Sequence, residues 1–362
     1  ITRAEKPTRT PPRPRGGGTI CARSARRGPC RAGCPGGPSA LWERIESPMA
    51  YYYIRKLAGF LVTLFLVSIL TFAVFQILPG DPALVILGVD ADPAQLEQLR
   101  AEMGIDQPIH IRFLSWIGGV LQGDLGESYR YHQPVSGLIA NAFGVTVQLA
   151  VCALVLTAVV GIPVGIWLAH HSKRPYALPV SLLSQLGLSV PAFCFSVLLV
   201  NIFSVWLEWL PSMGFTPFAQ DPVAWLKSLI LPAVAIAFGS TAVLIRYVKV
   251  SITQQERQDY VKTAQSKGVP SKKILRGHVL RNSLIPVLTI FGMTITDVLG
   301  GSIIIENVFS LPGIGRLISS SINSRDLPLI QGLVLYLAII VVVCNFLVDV
   351  LYSVIDPRIR LK

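Results

Sequence analysis

Leu57-Ala-Gly-Phe-Leu-Val-Thr-Leu-Phe-Leu-Val-Ser-Ile-Leu-Thr-Phe-Ala-Val-Phe-Gln-Ile-Leu-Pro-Gly80 is a stretch of 24 residues without a charge, closed by Lys56 and Asp81. As a helix rising about 1.5 Å per residue it would extend about 36 Å, enough to cross a hydrocarbon core of roughly 30 Å. It is too long, and preceded by too long an arm, for a cleaved signal. Outward from it, further apolar runs appear at 133–169, 175–207, 228–245, 283–305 and 327–348, with Asp297 interrupting the run at 283–305. The run at 133–169 opens with Pro134, Gly137 and Asn141, so its span is expected to begin near Phe143. Six spans make an all-α polytopic membrane protein with both termini on one side. The composition agrees. Charged residues make up 14% of the chain, against roughly 25% in ordinary soluble domains. Hydrophobic residues reach 52% and the mean hydropathy is +0.56. A soluble enzyme or a coiled coil needs more charge to wet its surface.

A net charge of +12 would suit a nucleic-acid binder if it formed one patch. Residues 1–48, however, hold 10 Lys/Arg and 3 acids, and the remainder sorts by loop. The loops on one side carry 16 Lys/Arg, nine of them from Arg246 to Arg281. The opposite loops carry 6: Arg100, Arg112, Arg130, Lys227, Arg316 and Arg325. Under the positive-inside rule both termini are expected in the cytoplasm, in a bacterial inner membrane. No nucleic-acid partner is expected.

Residues 1–48 are rich in Arg, Pro, Gly and Ala, lack apolar periodicity and are expected to be a disordered basic tail. Met49 is the first methionine and leads directly into the first span, so the native start is expected there. The rest divides into 49–142, the first span with an external loop domain, and 143–355, five helices with a cytoplasmic loop at 249–282. The external loop carries eight acids and a helix opened by Asp92 as cap and Pro93, with Gly104 to end it. Cys21, Cys30 and Cys34 match no zinc spacing, and Cys152, Cys194 and Cys344 sit in apolar runs.

The chain lacks the G-x-x-x-x-G-K-[ST] phosphate loop and has no H-E-x-x-H or G-x-S-x-G motif. His110, His132, His170, His171 and His278 show no ligand spacing with a carboxylate inside a span, so metalloenzyme chemistry has no residues to work with. The informative segment is the loop at 249–282. Asp259-Tyr-Val-Lys-Thr-Ala-Gln-Ser-Lys267 permits a helix, Gly268 ends it, and Pro270 prevents resumption. Ser271 is then expected to cap a second short helix over 272–280. Thr263 and Ala264 are small enough for a partner's backbone to approach closely. A merely solvated loop would explain the cations but not this punctuation.

These residues resemble the coupling loop of ABC importer permeases, whose consensus is Glu-Ala-Ala, three residues, Gly, nine residues, Ile-x-Leu-Pro. Aligned on Gly268, Lys262 falls on the Glu, Thr263 and Ala264 on the Ala pair, His278 on the Ile, Leu280 on the Leu and Arg281 on the Pro. The departures at Lys262, His278 and Arg281 look normal for the dipeptide/oligopeptide/nickel branch, where Thr-Ala-x-x-Lys-Gly and Arg-Asn-x-Leu-x-Pro are usual. Here they read Thr263-Ala-Gln-Ser-Lys267-Gly268 and Arg281-Asn282-Ser-Leu-Ile-Pro286. Leu78-Pro-Gly-Asp-Pro-Ala83, Gly123-Asp-Leu-Gly-Glu-Ser128, Glu306-Asn-Val-Phe-Ser-Leu-Pro312-Gly313-Ile-Gly-Arg316, Arg325-Asp326, Asn345-Phe-Leu-Val-Asp-Val-Leu-Tyr352 and Asp356-Pro-Arg-Ile-Arg360 match the same branch, in order, over about 49–360.

The resemblance implies a type I importer permease fold and a non-enzymatic transport subunit. A second permease would complete the pore, two separate ATPase subunits would bind ATP, and an external protein would deliver the substrate, a peptide or, in the nickel members, a metal ion. No cofactor would sit on this chain itself. The coupling loop, with Lys262, Thr263, Ala264, Lys267, Gly268, Arg281, Asn282 and Pro286, would dock on an ATPase. Asp297, halfway along its span, and Gln148 are candidates for the translocation pathway, with a helix-interface role the alternative for Asp297. Glu306, Pro312 and Gly313 form a motif at the outer mouth, where structural pairing is expected for Glu306. Asp349 is expected to pair with a basic residue. A secondary transporter would give no reason for the helix–Gly–helix loop, and an intramembrane enzyme would lack catalytic residues.

Overall fold

The computed structural model describes residues 38–77, 82–88, 92–102, 107–172 and 174–355, all helix and connecting loop. The chain separates into two units, 1–51 and 52–362. Of the first, only the helical residues from Pro38 are described, so helix begins inside the segment expected to be disordered; residues 1–37 lie outside the described residues. The closing Asp356–Arg360 motif, Gly104 and residues 78–81 lie outside them as well.

Helix α1 (Pro38–Ile77) contains the stretch quoted above as far as Ile77. Three short helices follow, α2 (Pro82–Leu87), α3 (Pro93–Glu102) and α4 (Ile109–Leu121). The Asp92 carboxylate accepts from the Ala94 N–H at 3.2 Å, as its capping role requires. Helix α5 (Val135–His171) starts eight residues before the expected position. Pro134 occupies its N-cap, and Val135 and Ile139 are buried against Leu329 and Leu333, so tertiary packing overrides the local weakness of Gly137 and Asn141. The run at 175–207 is broken into α6 (Ala177–Ser189) and α7 (Ala192–Leu199), the latter extended by a π-helical turn to Trp206; the halves meet at 111°. Pro191 is the cause, because it has no N–H to continue the ladder and holds Val190 in an extended conformation.

Helix α8 (Pro222–Glu256) begins before the run at 228–245 because Asp221 caps it, accepting from Val223 and Ala224 N–H at 2.8 and 3.2 Å, with Pro222 in the first turn. Helices α9 (Asp259–Ser266), α10 (Ser271–Ile274) and α11 (Leu280–Val308) follow, with α12 (Ile314–Ser324) and α13 (Leu327–Ile355) closing the described chain.

Helices α5 and α8 run parallel in close contact. A Cβ at Gly161 would lie 2.9 Å from Leu244 Cδ2, and one at Gly165 would lie 2.6 Å from Val248 Cβ. Two small residues one turn apart let the backbones meet, the packing expected where lipid supplies no hydrophobic drive between helices. This parallel pairing settles the crossing count. The C-terminal ends of α5 and α8 lie at the same end of the bundle, so residues 172–221 must return to the opposite end. The broken pair α6–α7 therefore counts as a span, which makes six among the described residues. The central core joins Leu149 and Ala153 of α5, Leu229 and Ile236 of α8, and Val298 and Ile305 of α11.

Candidate functional site

The basic end of the bundle carries the helix–Gly–helix element. Helix α9 stops at Ser266, and Gly268 takes φ +73°, the left-handed region that glycine enters without penalty. A Cβ there would touch nothing, so its constraint is conformational rather than steric. Pro270, not Ser271, occupies the N-cap position of α10, and Ser271 is the first helical residue. The second helix is not separate: α10 passes through a π-helical turn, Leu275–Val279, into α11, making one helix of 38 residues from Ser271 to Val308.

Val261, Ile274 and Val279 are buried in a cluster with Leu244, Val248 and Ile252, which seats the element on the spans. Ala264 packs partly against the same cluster, so it faces its own chain more than the sequence suggested, while Thr263 is exposed. Lys262, Lys267, Arg281, Asn282 and Pro286 are exposed as well. Lys262 Nζ donates to Asp259 Oδ1 at 2.9 Å, and that bond and charge hold the Asp259 carboxyl below its ordinary range. Beside the element, His170 Nδ1 stands 3.6 Å from Glu256 Oε1, bridging the ends of α5 and α8.

Asp297 sits on the exposed face of α11 with Met293, Gly300 and Ile304, and has no hydrogen bond or ion pair among the described residues. Its neighbours are engaged: Thr294 bonds back to Ile290 O, and Thr296 donates to Asn345 Oδ1 at 3.2 Å. Among the described residues no side chain pairs with it across a helix interface. Gln148 is differently placed. Its Oε1 accepts from Trp225 Nε1 at 2.7 Å, pinning α5 to the first turn of α8.

At the opposite end lies a tightly closed knot. Glu306, fully buried in the last turn of α11, accepts from Thr146 Oγ1 and from the Gly315 N–H, both at 2.7 Å. Thr146 Oγ1 in turn accepts from Ile314 N–H at 3.0 Å. A Cβ on Gly313 would overlap the Glu306 carboxylate, and one on Gly315 would overlap the Ile303 backbone. Pro312 is exposed at the turn itself. A second buried carboxylate, Asp326, follows Arg325, whose φ of 52° ends α12. It accepts from Ser128 Oγ at 2.5 Å and from the Tyr129 and Arg130 N–H groups at 3.3 and 3.2 Å. Burial, reinforced by the Asp326 charge and opposed by Arg112, pushes the Tyr129 phenol up to about 12.

Asp349 pairs with Lys56, joining the last span to the first as expected of a basic partner. The sequence quoted Ser128 and Asp326 in separate motifs but held no sign that they meet. Thr146 and Gly315 carried no signal except that Gly313-x-Gly315 follows a carboxylate at the end of a span.

Residues 161–361 match the family described as binding-protein-dependent transport system inner membrane component, and residues 49–150 match the N-terminal region of such membrane components. The chain belongs to that family. It is a multi-pass permease subunit of an ABC importer, with the type I importer permease fold. A Brucella abortus (strain 2308) protein, provisionally named as the permease protein of a peptide transport system, is 41% identical over 312 residues, covering 86% of this chain and 99% of that one. The glutathione transport system permease protein GsiC of Escherichia coli (O6:H1) is 38% identical over 315 residues, covering 87% of this chain and 100% of its own. Among solved structures, the inward-facing MetNI methionine ABC transporter matches with a TM-score of 0.51 at 16% identity, over 60% of this chain and 96% of that one, a likeness of fold.

Proposed function

We propose that this permease forms, with a second permease, the inner-membrane pore of an importer for small peptides, fed from outside by a binding protein and driven by two cytoplasmic ATPase subunits that bind the ATP. Helix–Gly–helix geometry at the basic end carries this reading: an exposed pair of short helices, seated by Val261 and Ile274, hinged at a left-handed glycine and continuous with α11. Such an element can take a push from a partner and pass it along the span that bears Asp297. The Lys/Arg bias of 16 to 6 supports placing it in the cytoplasm, with both termini there. Lys262, Thr263, Lys267, Arg281 and Asn282 would form the docking face, Ala264, Gly268 and Pro286 would hold its shape, and Asp297 would meet a substrate ammonium in the pathway. The names of the relatives support a peptide rather than nickel.

The test uses the assembled transporter in proteoliposomes. A β-branched residue in the left-handed region costs about 1–2 kcal/mol, roughly tenfold in an equilibrium. Gly268→Val should insert at normal levels yet lose most of the ATP hydrolysis stimulated by peptide-loaded binding protein. Full stimulation at equal expression would remove the coupling assignment.

A further inference from the structure

An apolar groove of about 300 Å³ runs along the bundle between α5, α6 and α8, walled by Val160, Val164, Val180, Leu183, Ala237 and Phe238. The hydroxyl of Ser184, which also lines it, is turned back onto the Ser181 carbonyl at 2.8 Å. Val160 and Leu183 are 44% and 58% exposed on its rim. Along α8 the groove extends from Val234 to Ile245, about 16 Å at 1.5 Å per residue, or half of a roughly 30 Å hydrocarbon core. It is one leaflet deep. Phe238, stacked on Phe195 with centroids 4.0 Å apart, stands toward its mid-bilayer end. The cluster of Leu168, Ala177 and Ile245 closes the other.

Beyond that closed end the chemistry changes. Trp167, His171 and Tyr176 gather with ring centroids 5.1 to 5.9 Å apart. Arg174 lies in the turn between them, exposed and with no ion pair among the described residues, and Arg246 follows Ile245 directly. Apolar groove, aromatic belt and cations thus follow one another in the order of a lipid's tail, glycerol region and phosphate.

We propose that this groove is a phospholipid site, holding one acyl chain between α5, α6 and α8 with the lipid phosphate on Arg174 and His171. By the orientation proposed above the lipid belongs to the inner leaflet.

The assembled transporter is reconstituted into phosphatidylethanolamine–phosphatidylglycerol vesicles containing a trace of phosphatidylglycerol with a photoactivatable group midway along one chain. Crosslinks should fall on the peptides holding Leu183 and Phe238. Leu183→Trp, which fills the rim, should cut that labelling fivefold or more. Leu182→Trp, on the neighbouring exposed position outside the groove, should leave it unchanged and shows that an added tryptophan is tolerated. Arg174→Ala should cut it at least twofold, while labelling by a headgroup-free photoactivatable alkane stays constant. Equal labelling in the two tryptophan variants, or labelling only from the leaflet at the other end of the bundle, would overturn the site. So would crosslinking of the second permease to groove positions. None of these readouts requires transport, so their failure would leave the permease reading standing.

Discussion

The two ends of α11 treat the same residue types in opposite ways. Just before its basic end Gly268 has open space around it, with Lys267 in solvent and Val269 half-buried beside it. At the other end Gly313 and Gly315 are glycines because a carboxylate and a backbone already occupy the room a Cβ would need. The charges differ in the same sense: Lys262 and Asp259 pair in solvent, whereas Glu306 and Asp326 are buried and saturated by donors. The contrast teaches that motif residues of one family can be fixed for different reasons. Those at the closed end hold the chain to itself, and those at the open end stay exposed, as the proposed docking on an ATPase requires.

The strongest way to break this comparison is at the closed end. Glu306→Ala leaves the Gly315 N–H without its acceptor and opens a void, which should cost about 3–5 kcal/mol. The thermal midpoint of the detergent-solubilised chain should fall well below that of Gly268→Val, and Glu306→Gln should recover part of the loss. Equal midpoints for Glu306→Ala and Gly268→Val would erase the distinction.

A smaller effect is expected at the second carboxylate. Asp326→Asn keeps an acceptor for Ser128 but removes the charge from its bonds, a loss of about 1–2 kcal/mol. Ser128→Ala added to it should cost little more, since the two share one interaction. Additive losses in the thermal midpoints would show that the pair acts independently.

The smallest effect is a pH dependence confined to the closed end. The Tyr129 phenol is raised from 10.0 to about 12, so its neutral form is the one the fold favours. Its contribution is fully present below about pH 10 and is lost as pH rises toward 12. Wild-type chain should therefore lose stability across that window more steeply than Tyr129→Phe, read by unfolding at stepped pH. Identical slopes would place Tyr129 in solvent.

Much of this was legible because it is local. Charge-free runs mark spans, since lipid admits no unpaired charge cheaply, and Gly268, Pro270 and Asp92 act on the backbone within a few residues of themselves. What was not legible depends on distant partners. Thr146 reaches Glu306 across 160 residues and Ser128 reaches Asp326 across 198, and nothing in either neighbourhood names the other. The early start of α5 belongs here too, because Val135 is helical on account of Leu329 and Leu333. The break at Pro191 was present in the sequence, but a count of charges cannot see a backbone kink. Ala264 shows the converse: the small residue was noticed, yet the surface it serves is partly its own.

The seam between α5 and α8 sets which motions of this permease are stiff and which are soft. Leu244 and Val248 sit in notches left by Gly161 and Gly165, so sliding one helix along the other would lift two side chains out of their sockets at once. Swinging the pair together breaks neither contact. Gln148 and Trp225 latch the same two helices near their opposite end, which makes them a single spar pinned at both ends. A displacement arriving at the His170–Glu256 end should therefore travel the length of the spar as rotation, not be absorbed as shear.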